Sequence, residues 1–483
     1  MKNLNKYLVI FFVLFAASCA SDIDNVRPSD SLEINDFFAT ASDFNAALGG
    51  AFQQMQNYYA LELLIMGDIP TDNVIQSQTG RLSNDAYWDW RYTSLNDIGM
   101  LDEGYEAVNI ANLIIKNIDV LPDGDAKTNI LGQATAIRAI AHFDMARLYG
   151  PIPTESSDPN TDLGVAYLKF EDGDTGDPFA LPARESVASN YTEIIGDLED
   201  AIDLIGTAGV STSVTNNFTV EALYGILSRV HLYNGDWTAA IDAANEVTSA
   251  PAPAADLLNV YRDASNAGIL MKLGIDQQVD ALSAGVVFSQ SSSTNTISEY
   301  AMAYDLFSAI AADDIRGTAF VFTGVNEGNN YNAINKWIGE TGQINGETDM
   351  PVIRVEEVLL NKAEAQFEDG QQAAALTTLN QLRDVRYTAS SYTDGETGAQ
   401  LEAAIRFERR LEMFAEYSRW FDIRRWGLGV NRANFGDFAD GTGTAPQEMT
   451  LPAGDHRFLL PIPQTETNVN PNFGQNPGYG SGS

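Results

Sequence analysis

The stretch RFERRLEMFAEYSRWFDIRRWG, residues 406–427, carries six arginines (Arg406, Arg409, Arg410, Arg419, Arg424 and Arg425) in a chain that has 28 lysines and arginines altogether. Four carboxylates stand among them (Glu408, Glu412, Glu416 and Asp422), with six rings: Phe407, Phe414, Tyr417, Trp420, Phe421 and Trp426. A guanidinium tolerates partial burial, forks onto carboxylates and stacks on aromatic faces. The mixture predicts charges paired against packed rings, a buried brace rather than a solvated face or a catalytic cluster.

Working outward, helical spacing runs through 352–368, 373–386 and 399–417 on the near side, and through 43–59, 101–121, 130–149, 186–205, 220–233 and 238–247 further back. Pro122 and the pair Gly150-Pro151 stop two of these helices. An internal repeat is visible. Leu227, Ser228, Gly235, Trp237, Ala240 and Ala244 keep the spacing of a tetratricopeptide-type hairpin, and Lys362, Ala363, Gly370, Gln372, Ala375 and Leu379 repeat the frame 135 residues on. The expected fold is mainly α, a frame of helical hairpins with an irregular, loop-rich region and few short strands. Residues 319–323 and 336–338 read as strands, with Trp337 as core, and the tail beyond Leu459 as proline-punctuated extended chain.

Composition limits the function. Sixty-six acids against 28 bases, a net charge of −38, exclude a nucleic-acid partner, which needs a basic face. The only cysteine is Cys19, and the three histidines (His142, His231, His456) are far apart in sequence, so no disulfide, thiol nucleophile or histidine-rich metal site is expected, and no cofactor motif is present. Asp172 to Asp177 imitates the start of a calcium loop, but Asp177 stands where glycine is needed and Ala183 where glutamate is, so it reads as an acidic turn. Lys2 and Lys6, an apolar run over 7–17 and small residues before Cys19 look like a bacterial lipoprotein signal peptide over 1–18, with Cys19 acylated as the membrane anchor. Residues 19–483 would then be one domain.

The chemistry is expected in the loops. Residues 67–92 break the helical pattern and end in Tyr87-Trp88-Asp89-Trp90-Arg91-Tyr92. Trp88 and Trp90 are candidate stacking platforms for sugar rings, and Asp72, Asn73 and Arg81 candidate partners for hydroxyls. Phe288 and Tyr300, in the irregular middle, complete the candidate set.

The arrangement Arg409-Arg410-Leu411-Glu412 through Arg419-Trp420-Phe421-Asp422-Ile423-Arg424-Arg425-Trp426-Gly427 resembles the C-terminal signature of the SusD/RagB family. So do residues 353–360 with Ala363-Glu364-Ala365, the closing Pro461-Ile462-Pro463 with Gln475-Asn476-Pro477-Gly478-Tyr479, and, earlier, Asn109 to Asn112 and Arg138 to Pro153. Ala415-Glu416-Tyr417 departs from the usual Glu-Gly pairing, and Val355 stands where an aromatic is common. The short acidic run Ser21-Asp22-Ile23-Asp24 resembles the export tag of Bacteroidetes surface lipoproteins. The resemblance implies an outer-membrane lipoprotein with an N-terminal half over about 19–210 and a C-terminal half over about 260–479. It implies glycan binding without catalysis, no cofactor, and partnership with a SusC-like TonB-dependent transporter. The alternatives are capture of a non-glycan nutrient such as peptides, a glycoside hydrolase, and a helical scaffold that binds only proteins.

Overall fold

A computed structural model describes residues 37–96, 98–170, 180–209, 213–276, 280, 282, 284–291, 296–339 and 346–480. Cys19, the run at 21–24 and the acidic turn at 172–177 lie outside the described residues.

Helix starts follow local chemistry. Thr40 and Asp43 close a capping box on α1 (Ala41–Tyr58), and the Ser186 and Thr219 side chains accept from backbone amides three residues on. One π turn, Tyr59–Leu63, continues α1 into a short helix, Leu64–Asp68. Then come α2 (Met100–Asn117), α3 (Asp125–Tyr149), α4 (Val187–Ala208), α5 (Val220–Asn234) and α6 (Trp237–Asn245). Each packs on the next. Helix α3 also touches α1 and is buried on every side from Gly132 to Tyr149, which is why its sequence shows no clean apolar stripe.

The second set is α7 (Val355–Glu368), α8 (Gln372–Arg383), α9 (Ala399–Glu412) and α10 (Arg419–Arg425). Helix α7 packs on α5, α6, α8 and α9, so it joins the two sets, one side in the main core and the other in a second apolar cluster with α8 and α9. The repeat in the sequence is a repeat in space: Gly235 and Gly370 end α5 and α7 at φ +83° and +78°, a conformation only glycine adopts cheaply.

Strands β1 (Val74–Gln76), β3 (Tyr300–Met302), β4 (Val321–Asn326) and β5 (Asn329–Ile334) form an antiparallel sheet ordered β1-β3-β5-β4. The register sets Val74 opposite Met302 and Gln76 opposite Tyr300. A two-stranded ladder joins β2 (Ile269–Leu273) to β6 (Met350–Arg354). Residues 352–354 are therefore strand rather than the first turn of α7. Residues 336–338 form a turn, not a strand, because the Lys336 ammonium and the Trp337 indole both reach inward, to Glu416 Oε1 (2.5 Å) and the Ala415 carbonyl (2.6 Å). The helix expected to run to 417 stops at Glu412; Ala415 is left-handed at φ +56°, a conformation that costs an alanine roughly 1–2 kcal/mol.

The basic-aromatic stretch is buried as expected. Glu412 accepts from Arg354 Nη1 (2.7 Å) and from Arg386 Nε and Nη2 (2.9 and 3.0 Å), and Arg316 stands 3.5 Å away. Glu416 takes Arg354 and Lys336; Glu408 takes Arg316 and Arg383; Asp422 takes Arg409 and Arg425. Arg424 donates to the carbonyls of Arg147 and Gly150 and to Glu155, which ties the stretch to the end of α3. Rings fill the remaining space: Trp420 lies on Phe458, and the Arg147 guanidinium is 4.2 Å from the Phe421 centroid.

Burial alone would push the Glu412 carboxyl up, but Arg386 and Arg354 outweigh it and hold it far below the usual range. Glu416, Glu357 and Glu364 are depressed in the same way, burial being overcome by arginine partners. Glu412→Ala should cost about 3–5 kcal/mol in urea unfolding, because three arginines lose a buried partner. The unfolded chain binds more protons than the folded one as these carboxylates titrate. The stability they provide is present above about pH 4.5 and should fall as pH drops toward 3. Unfolding curves at pH 6, 4.5 and 3.5 check this, and a flat profile would contradict it.

Candidate functional site

The loop between β1 and α2 is held in a costly shape. Leu82, Asn84 and Trp90 have φ of +56°, +59° and +53°, and each left-handed non-glycine residue costs of order 1–3 kcal/mol. Opposing contacts hold it there. Both Glu299 oxygens accept from the Arg81 amide (3.0 and 2.9 Å), with Arg81 Nε at 3.2 Å. Trp90 Nε1 donates to the Pro70 carbonyl at 2.8 Å. Arg432 lies between the two indoles, its guanidinium carbon 3.4 Å from the Trp88 centroid and 4.2 Å from that of Trp90. It donates to the carbonyls of Thr71, Trp88 and Glu448. Burial lowers its pKa to about 9, against the pull of Asp89 and Asp72.

This corrects the picture of open platforms. Trp88 and Trp90 are 3% and 2% exposed, with Arg432 against both rings. Phe288 and Tyr300 are equally buried; Tyr300 donates to the Ser83 carbonyl (2.5 Å) and accepts from Gln76 Nε2 (3.1 Å). Asn73 is buried between Asp68 (2.5 Å) and Arg410 (2.8 Å), and both Asp72 oxygens accept from Arg419 at 2.8 Å. Burial pushes the Asp72 carboxyl up, but Arg410 and Arg419 prevail and hold it well below the carboxylate range. Of the seven expected site residues only Arg81 lies at the surface.

The same loop nevertheless forms one wall of a polar cleft. Gln76, Gln78, Leu82, Asp85, Trp88 and Asp89 face Thr444, Ala445, Pro446 and Gln447 across about 170 Å³. That is below the ~300–1,000 Å³ of a drug-sized pocket and suits one ring rather than a chain. Asp437 joins the walls, accepting from the Gln78 amide (3.0 Å) and the Thr444 amide (2.8 Å). At the rim, Arg91 Nη2 bridges Asp85 (2.8 Å) and Asp89 (3.2 Å).

The second wall was not singled out in the sequence. Residues 433–447 have neither helical nor strand periodicity; the available signal was Gly436, Gly441 and Gly443 interleaved with Phe435 and Phe438. Phe435 is 42% exposed and meets the half-buried Tyr304 edge to face, with centroids 4.9 Å apart. Gly441, at φ +79°, admits the Tyr304 ring, since a Cβ there would lie 2.7 Å from it. A larger groove of about 500 Å³ lies among α2, α3 and α4, but it is lined by Ile115, Leu131 and Leu204 with threonines, aspartates and Arg138 and holds no aromatic ring. Among the described residues no group of three or more His, Cys, Asp or Glu is placed to hold a metal, and no helix is long and apolar enough to cross a membrane.

Comparison with known proteins agrees with this architecture. Residues 282–479 match the SusD family, and residues 28–232 match a family described as starch-binding and associating with the outer membrane. The SusD-like protein P2 of Formosa agariphila is 26% identical over 99% of this chain and 100% of its own length. The crystal structure of a SusD superfamily protein from Bacteroides thetaiotaomicron superposes with a TM-score of 0.78 at 24% identity, covering 91% of this chain and 100% of that one. A crystal structure with xylogluco-oligosaccharide has the same fold at a TM-score of 0.69 and 19% identity, over 89% of this chain and 97% of that one. With its two halves matched in order on a tetratricopeptide-like frame, the chain belongs to the SusD/RagB family.

Proposed function

We propose that this protein binds a glycan at the Gln76–Gln447 cleft and passes it to a SusC-like TonB-dependent transporter, held at the outer membrane by a lipid on Cys19. The observation that carries the reading is the cleft itself: planar amides (Gln76, Gln78, Gln447) and carboxylates (Asp85, Asp89) converge on a space the size of one sugar ring. Hydroxyls are recognised by such groups, and C–H faces by flat rings. Phe435, 42% exposed on the loop that forms the second wall, is the ring left open near it, with the half-buried Tyr304 against its edge. The family name supports outer-membrane association, and a relative by fold holds a xyloglucan oligosaccharide.

The hydrolase alternative has less support. A general acid gains its proton from apolar burial, whereas Asp85 is more than half exposed beside Arg91. Burial raises Asp68, to about 7, and also Asp144, Asp263 and Glu368, but none of these lines the cleft, and Asp68 is enclosed beside Asn73.

Native gels cast with polysaccharide test the binding. Asp85→Ala and Gln447→Ala should weaken retardation about tenfold and three- to tenfold, the worth of one charged and one neutral hydrogen bond, with unfolding midpoints unchanged. Arg432→Ala should lower the midpoint and red-shift tryptophan emission, since it uncovers both indoles. Retardation unchanged in both cleft variants would remove the site, and cleavage products in the gel would favour the hydrolase. Cys19→Ser should move the protein from the membrane to the soluble fraction of cells; persistence in the membrane would sink the anchor.

A further inference from the structure

Hydrogen-bonding polarity and charge decide which glycans the cleft can accept. Its lining holds two carboxylates, Asp85 and Asp89, and no lysine or arginine. The nearby arginines are engaged. Arg81 bonds Glu299 and the Val286 carbonyl, Arg91 reaches both cleft carboxylates through Nη2, and Arg432 lies behind Trp88 and donates to three carbonyls. Gln76 adds another acceptor. It is 6% exposed, its amide nitrogen donates to Tyr300, and its amide oxygen has no partner among the described residues.

The lining is therefore rich in acceptors and carries negative charge. A sugar hydroxyl can donate to every one of these groups. A sulfate ester or a uronate brings acceptors only, so it meets the carboxylates without a proton to share and adds like-charge repulsion. The whole chain, at net −38, adds a repulsive field of the same sign at low salt.

We propose, on the footing of the glycan reading above, that the cleft takes an uncharged, hydroxyl-rich sugar unit and discriminates against sulfated and uronic glycans, with Asp85 and Asp89 as the specificity-determining pair.

Matched polymers test this. Xyloglucan, galactomannan and laminarin, each beside its own chemically sulfated derivative, are offered to the full-length protein in affinity gels and titration calorimetry at ~20 mM salt. At least one neutral polymer should bind about tenfold or more tightly than its sulfated form. The ratio should shrink in ~0.5 M salt, where the screening length falls to a few ångströms. It should also fall below about threefold in the double variant Asp85→Asn with Asp89→Asn, which keeps the side-chain shape, removes both charges and releases Arg91. Arg91→Gln should widen it.

Equal or tighter binding of the sulfated forms overturns the proposal while leaving glycan capture in place. A ratio unmoved in the double variant overturns the assignment to these two residues. Retention of no glycan, neutral or charged, removes the glycan reading and this inference with it.

Discussion

Glu412 is the carboxylate on which the structure depends. Its two oxygens serve guanidinium groups from the end of β6 (Arg354) and from just after α8 (Arg386), with Arg316 near. Four segments far apart in sequence thus meet at one buried charge. Such a lattice is weak evidence for stability, since well-packed apolar side chains can replace buried ion pairs without loss. It is better evidence for register. A guanidinium fork accepted by a carboxylate has a narrow set of orientations, so each pair fixes how its two segments are turned, which a hydrophobic contact does not.

The lattice reaches the cleft through short, stiff links. Gly67, at the end of the first helical run, lies so close to the Glu416 carbonyl that a Cβ would stand 2.0 Å from it. Four residues on, Thr71 receives Arg432; Asp72 receives Arg419, and Asn73 receives Arg410. β1 follows at once, and Gln76 at its end opens into the cleft. The stretch that holds the frame together is therefore also the footing of the cleft wall. The cleft-lining side chains of Gln78, Asp85 and Gln447 take no part in it.

What could be read from sequence followed from what is local. The helical runs beginning near 186 and 220, the turns at Gly235 and Gly370 and the paired charges of 406–427 are set by neighbours within a few residues, or by a chemistry so costly to bury unpaired that it announces itself. The tryptophans failed as platforms because their burial is decided elsewhere. Arg432 comes to Trp88 from 344 residues away, and nothing near Trp88 reveals it. The strand at 352–354 was hidden likewise, its partner being Ile269–Leu273. The second wall was missed since residues 433–447 have no period to detect, and their cleft contacts rest on Asp437 reaching back to Gln78.

Burying the two indoles has a consequence for binding. A loop with three left-handed non-glycine residues within nine positions would relax if released, and the Arg432 stack and the Glu299 pair prevent it. The ordering cost of the wall is met during folding, so a ligand arriving at the cleft has little loop entropy to overcome. Sugars exchange their hydroxyl hydrogen bonds with water nearly evenly, so each polar contact contributes little net free energy. A site built for them gains most from being rigid beforehand. Trp88 and Trp90 serve the cleft in that way, as the packed backing of a wall whose open side carries amides and carboxylates.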